Sequence, residues 1–318
     1  MTKIRIGVAG ANGAFGTKHL EALQAIDDVI ISAVMATSME KANKAGDAFD
    51  VPHRFDDYDA FVACDELDAV ILATPTQLHA VQGIAAMAAG KHVLVEIPMA
   101  DSLADSKALV AKQAETGLVG MAGHVRRFNP SHQYVHQLIT SGKTAIQQMD
   151  VQTYFFRRTN MNAKGEPRSW TDHLLWHHAC HTIDLFMYQT GEDIAEVYSI
   201  EGPKHPELGI AMDMSIIMKT PTGKLCCLSL SFNNDGPLGT FFRYICDNGT
   251  YLARYDDLFT GKDEPIDVSQ VDVSMNGIEL INREFVSAIQ EGREPNSSLR
   301  QCLPAMAVMH EIEQKMTS

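Results

Sequence analysis

The sequence predicts an α/β chain in two parts, a helix-covered parallel sheet followed by an α+β domain with an open, mostly antiparallel sheet. Three observations carry this reading. Short apolar runs alternate with helical patterns over roughly the first 120 residues. Beyond about residue 125 the runs become strands joined by turn residues. The chain's 318 residues are enough for two hydrophobic cores.

In the first part, Ile4–Ala9 is strand-like and 13–25 reads as a helix. A strand at 29–36 (VIISAVMA) precedes a polar helix, Met39–Phe49. Residues 68–74 (DAVILAT) and 92–96 (HVLVE) are nearly continuous apolar runs, as strands buried on both faces must be, with a helix at 78–89 between them. Leu103–Thr116 is a further helix and 118–123 a further strand. In the second part, 150–158, 197–202, 212–220, 225–232 and 241–246 read as strands. Pro221-Thr222-Gly223 and Asn248-Gly249 supply turn chemistry. One helix, 174–189 capped by Gly191, follows the first of these strands, and helices at 277–290 and 299–315 close the chain. The expected boundary falls between residues 123 and 124.

With 26 basic and 40 acidic residues the net charge is −14, which lacks the positive footprint that nucleic acid or an anionic membrane requires. No stretch approaches the ~18–20 apolar residues of a membrane span. The six cysteines form no CxxC pair, as expected of thiols in a reducing compartment. Met1-Thr2-Lys3 runs straight into the first strand without a signal-peptide pattern. The expectation is a cytoplasmic protein with a small-molecule partner, no nucleic acid and no membrane.

Between the first strand and first helix lies Gly10-Ala11-Asn12-Gly13-Ala14-Phe15-Gly16. Glycines there allow a tight turn and close approach of backbone to a pyrophosphate, and the helix N-terminus adds N–H groups and a positive dipole end. The Gly10-x-x-Gly13-x-x-Gly16 spacing, one residue longer than GxGxxG, marks a dinucleotide-binding Rossmann domain. The second strand ends in Thr37 and Ser38 with Lys41 close behind. Hydroxyls and an ammonium suit a 2′-phosphate, and the nearest carboxylate, Glu40, comes two residues late. NADP is therefore the expected cofactor, with NAD a poorer substitute.

Several segments resemble one family. Thr74-Pro75-Thr76-Gln77-Leu78-His79 resembles the TPxxxH turn of the Gfo/Idh/MocA oxidoreductases, and Glu96-Ile97-Pro98 sits where that family has Glu-Lys-Pro. Arg126-Arg127-Phe128-Asn129-Pro130 resembles its RRFNP segment, and His181-Thr182-Ile183-Asp184 the end of its DxGxHxxD helix. The resemblance implies a cofactor site that includes Thr74, Pro75, Thr76, His79, Glu96 and Ile97. It also implies a second domain, 124–318, that binds substrate and mediates assembly as a homodimer or dimer of dimers. Two positions depart from the family: its catalytic Lys is Ile97, and its Asp four residues before the catalytic His is His177. Residues 150–176, His177-His178 and 231–236 are similar to one branch of the family. That similarity implies NADP-dependent oxidation of the cyclic hemiacetal of an aromatic-derived dicarboxylate semialdehyde, in protocatechuate 4,5-cleavage.

Oxidation of a hemiacetal needs a group to take the hydroxyl proton, and imidazole suits that task near neutral pH. Four histidines cluster at His173, His177, His178 and His181. On a helix 173, 177 and 181 share a face, and 178 pairs with 181. His181 holds the family's catalytic position. His181 or His177 is the expected base, with Asp172 or Glu96 as orienting carboxylate. A dianionic substrate also calls for guanidinium groups, and Arg126, Arg127, Arg157, Arg158 and Arg168 are concentrated here. On a strand Arg157 and Arg158 would point to opposite faces. Trp170 is a candidate pocket wall. No metal is expected, because His177 and His181 alone fall short of the three protein ligands of a catalytic zinc. The alternatives are a non-catalytic NADPH-binding regulator and a dehydrogenase for another small anionic hydroxy or carbonyl compound.

Overall fold

The computed structural model describes residues 3–161, 165, 171–269 and 277–317, which form two compact units. The first comprises 1–124 and 277–303, the second 125–276 and 304–318. A single cut after residue 123 misses this return of the chain. Helix α8 (Ile278–Glu291) packs on α1 (Ala14–Gln24), a pairing that local sequence patterns do not encode. Helix α9 (Leu299–Thr317) passes from the first unit to the second at Pro304, where the ring removes a helical N–H.

The first unit holds a six-stranded sheet in the order β3-β2-β1-β4-β5-β6. Its strands are β1 (Ile4–Ala9), β2 (Val29–Met35), β3 (His53–Phe55), β4 (Ala69–Leu72), β5 (His92–Val95) and β6 (Gly120–Ala122). Every pairing is parallel. All four residues of β4 are buried, which explains its unbroken apolar run. Four helices connect the strands beside α1: α2 (Met39–Phe49), α3 (Tyr58–Val62), α4 (Thr76–Ala88) and α5 (Leu103–Thr116). Ser38 caps α2 and Ser102 caps α5, each Oγ accepting a backbone N–H three residues on. The short β3 and α3 carry too little periodicity to be read in advance.

The second unit is an eight-stranded sheet in the order β14-β13-β12-β11-β7-β10-β9-β8. Its strands are β7 (Ile146–Tyr154), β8 (Glu196–Glu201), β9 (Asp213–Lys219), β10 (Leu225–Ser231), β11 (Gly239–Cys246), β12 (Gly249–Arg254), β13 (Asp257–Thr260) and β14 (Pro265–Ile266). Among the described residues, only β7 and β10 pair in parallel in this sheet. Burial alternates along β9 and β10, so one sheet face forms a core and the other is open. Helices α6 (Pro130–Thr140) and α7 (Cys180–Thr190) pack against the covered face. The predicted strand at 150–158 lies four residues too late. Arg157 and Arg158 follow β7 in an irregular stretch where Phe156 bridges Asn233.

Candidate functional site

The glycine turn has the geometry a phosphate needs. Gly10 has φ +81, and a Cβ there would lie 2.3 Å from the Ala73 carbonyl oxygen. A Cβ on Gly16 would lie 2.2 Å from the Gly10 oxygen, so only glycine lets α1 start this close to β1. Gly13 is the N-cap of α1, and no carboxylate lies in the first turn. Helix start and turn together fit a pyrophosphate. Ala11 is buried beneath the turn, whereas Ala14 and Phe15 are exposed, with Lys18 lying over the Phe15 ring. At the end of β2 the Lys41 Nζ donates to Thr37 Oγ1 at 3.3 Å, and Ser38 Oγ accepts the Lys41 N–H at 3.4 Å.

The turns after β4 and β5 are braced from below. Thr74 Oγ1 donates to Gln82 Oε1 at 2.6 Å. Pro75 is the N-cap of α4, which starts at Thr76. His79 is buried, with its ring nitrogens 2.8 Å from the carbonyl oxygens of Thr74 and Pro98. Its ring therefore joins two turns, a bracing position that the expectation of a cofactor contact did not include. Glu96 and Ile97 are half-buried at the end of β5, with Ile97 at the position of the family's lysine. Glu96 belongs to the first unit and accepts from His19 and from the Ile97 N–H.

In the second unit the predicted helix at 174–189 is divided. Leu174–Ala179 is a π-helical segment, followed by α7, which ends at left-handed Gly191. Its i→i+5 bonding changes the phase of the side chains, and such turns recur at functional sites. His177 and His178 both lie on this wide turn. The His173 N–H donates to His177 Nδ1 at 3.2 Å, and the two rings meet edge to face. His178 packs between Phe155 and Phe232, with Nε2 3.3 Å from Asp172 Oδ2. Asp172 is thus placed against His178, where the expected bases were His181 and His177. His181 is half-buried on the first turn of α7.

Asp172 also fixes an arginine. Arg157 Nη2 donates to Asp172 Oδ2 at 2.7 Å, Nη1 contacts Oδ1, and the guanidinium lies over the Phe232 ring. Asp172 is 7% exposed, so this Arg157–Asp172–His178 cluster is largely desolvated. Arg158 is exposed over the Phe156 ring and donates to the Phe232 carbonyl and to Asn233 Oδ1. The two arginines lie beyond the strand on which opposite faces are expected, and both reach Phe232, one its ring and the other its carbonyl.

Two predicted substrate residues are placed differently. Arg127 is buried and donates to both Asp184 oxygens, at 2.8 and 2.7 Å, beneath the Tyr188 ring. Its planar fork is committed to a carboxylate of the chain itself. Arg126 is buried between the rings of Phe242 and Tyr255, its Nη1 3.5 Å from Asn129 Oδ1. Arg168 and Trp170 lie outside the described residues. Phe155 and Phe232, which wall His178, were not foreseen, because apolar residues at strand ends look like any other core positions.

Burial pushes His79, His132 and His177 below the ordinary imidazole range, His177 to about 3, where neighbouring His173 adds to the effect. In the unfolded chain these rings take protons near ~6.5, so the unfolded state binds more protons at acid pH. The stability they contribute is present above that value and is lost as pH falls towards about 3. The Tm is expected to drop steadily from pH 7 to pH 5, and less so in His177→Gln. For the same reason, any limb of kcat/KM between pH 6 and 8 should survive in His177→Gln; a limb that vanished would assign that titration to His177.

The comparisons with known proteins agree with this geometry. Residues 4–124 match the oxidoreductase family with an NAD-binding Rossmann fold, and 130–272 match the C-terminal domain of bacterial oxidoreductases. The chain is 64% identical to 4-carboxy-2-hydroxymuconate-6-semialdehyde dehydrogenase of Sphingobium sp. strain SYK-6, over 98% of each chain. It is 28% identical to inositol 2-dehydrogenase of Mycolicibacterium smegmatis, over 80% of this chain and 73% of that one. UDP-N-acetylglucosamine 3-dehydrogenase from Acidithiobacillus ferrooxidans shares the fold, with a TM-score of 0.84 at 22% identity over 99% of this chain and 98% of that one. Parallel-sheet order, glycine turn, second-unit sheet and near full-length identity converge on one conclusion: the chain belongs to the Gfo/Idh/MocA oxidoreductase family.

Proposed function

We propose that the chain is an NADP-dependent dehydrogenase acting on the cyclic hemiacetal of 4-carboxy-2-hydroxymuconate-6-semialdehyde, with 2-pyrone-4,6-dicarboxylate as product, in protocatechuate 4,5-cleavage. The observation that carries this is the 64% identity, over 98% of the chain, to a relative of that name. A nicotinamide dinucleotide held at the Gly10–Gly16 turn would supply the hydride acceptor for the hemiacetal carbon, and the hydroxyl proton must leave to a base. Asp172 holds His178 with Nε2–H towards its carboxylate, which makes Nδ1 the basic nitrogen. His178 is therefore the assigned proton acceptor and Asp172 its positioning residue. Arg158, exposed and donating to neutral oxygens, supplies positive charge for the substrate carboxylates in a chain of net charge −14, while Arg157 is paired with Asp172.

Ile97 leaves the site without the family's lysine. A hemiacetal hydroxyl is more acidic than that of a polyol, and the product gains conjugation, so one base suffices. The preference for NADP is supported by Thr37, Ser38 and Lys41 at the end of β2. On the open sheet face, Tyr198, Ile200 and Ile217 are exposed, which supports self-association as a homodimer or dimer of dimers; sedimentation of the purified chain tests this.

The protocatechuate 4,5-cleavage product, mixed with purified protein and NADP or NAD, should give nicotinamide reduction stoichiometric with pyrone, faster with NADP. No reduction with either cofactor would reject the reading. Lys41→Ala should lower the NADP-to-NAD ratio of kcat/KM by about tenfold, the order of one charge-assisted contact. An unchanged ratio would remove Lys41 from the 2′-phosphate site.

A further inference from the structure

His19 lies on α1 and is fully buried. Its Nε2 is 2.8 Å from Glu96 Oε1 and its Nδ1 2.9 Å from Asn282 Oδ1. The Asn282 amide nitrogen donates to the carbonyl of His19 itself at 3.4 Å, which turns the amide oxygen towards the ring. The His19 ring is thus held at both nitrogens, by the Glu96 carboxylate on one side and the Asn282 amide on the other.

The second Glu96 oxygen accepts the Ile97 N–H at 3.3 Å. On its other side, a Cβ on Gly123 would lie 3.2 Å from Glu96 Oε1, so the backbone closes over the carboxylate. Three parts of the first unit meet here: the phosphate-binding helix α1, the end of β5, and helix α8 from the C-terminal part of the chain. A buried polar cluster of this kind is weak as a source of stability, since apolar side chains of the same volume often do as well. What it does supply is fixed orientation.

We propose that His19 and Asn282 are positioning residues for the nicotinamide end of the cofactor, acting through Glu96 and the Ile97-Pro98 turn. In a sheet of this order, the adenosine ribose belongs at the end of β2 and the second mononucleotide on the β4-β5-β6 half. The Ile97-Pro98 turn lies on that second half, directly after β5. Glu96 Oε2 holds the turn by its N–H, and His19 and Asn282 hold Glu96. This inference rests on the reading that the unit binds a nicotinamide dinucleotide.

The test uses the full chain with His19→Leu, His19→Gln and Glu96→Gln. Each is titrated with 2′,5′-ADP, which probes only the adenosine end, and with NADPH, whose emission reports the nicotinamide environment. In His19→Leu and Glu96→Gln, 2′,5′-ADP affinity should stay within about twofold while bound-NADPH emission changes and kcat falls about ten- to a hundredfold, the scale of a small misplacement. His19→Gln, which keeps an amide donor, should recover part of kcat. The double variant His19→Leu/Glu96→Gln should be no worse than the worse single one.

Equal loss of 2′,5′-ADP and NADPH binding, or an unchanged kcat, would overturn the inference. Should His19→Leu fail to fold, Asn282→Ser takes its place, with a smaller loss of kcat expected and no change as the overturning result. A native chain that binds neither probe would instead overturn the cofactor reading itself.

Discussion

Asp172→Asn is expected to lower kcat/KM by about a hundredfold or more, the usual scale of a disabled acid–base group, while the KM for the cofactor stays within about threefold. One buried carboxylate does two tasks in the second unit. It accepts from both terminal nitrogens of Arg157 and faces Nε2 of His178 at 3.3 Å. The amide keeps the shape and loses the charge. Arg157 would then be a desolvated guanidinium without its counter-ion, its side chain only 14% exposed. His178 would also lose the partner that sets its tautomer, so the basic nitrogen would no longer be fixed at Nδ1. His178→Gln should cost about as much in kcat/KM, and the double variant no more than the worse single one, as for residues that act as a unit. Steady-state kinetics with the hemiacetal substrate measures all three. A double variant in which the losses multiply would show that Asp172 and His178 act separately.

Arg127→Met is expected to destabilise the fold by about 3–5 kcal/mol, because it strands the buried Asp184 carboxylate. For a domain of this size that corresponds to a Tm lower by about 10 °C. The pair is nearly sealed from water, with side chains 5% and 2% exposed, and Arg127 spends its bidentate fork within the protein. Arg127→Met/Asp184→Leu should regain most of the loss, since replacing both charges removes the stranded carboxylate. The kcat/KM of the folded variant should stay within about threefold of native. A native Tm with a greatly raised substrate KM would return Arg127 to the substrate site. Arg157 and Arg127 lie in the same arginine-rich segment, yet they differ in consequence: one pairs beside a half-buried histidine, the other is sealed against Asp184 and the Tyr188 ring of α7.

Much of the first unit is legible in the sequence because its signals are local. The apolar runs of β1, β4 and β5 follow from burial on both faces, and the glycine turn needs only the neighbouring strand and helix. Met39–Phe49 and Leu103–Thr116 match their expected bounds because Ser38 and Ser102 cap them and their periodicity is unbroken. The predicted strand at 150–158 runs past the end of β7 because Phe155 and Phe156 prolong the apolar pattern. The sequence pattern around His177 and His178 predicts α-helix throughout, since no composition signal separates a π turn from an α turn.

The sequence by itself determined the two-part α/β architecture, the dinucleotide turn, the family, and the region where histidines and arginines gather. Tertiary structure alone decided which of those charges are committed to each other. Arg127 reaches a partner 57 residues away, and Asp172 brings Arg157 and His178 together. The difference is physical. Periodicity records whether a position is buried, which each residue carries in its own side chain. The partner of a buried charge is set by packing between distant elements, and by a π turn that shifts side-chain phase within one of them.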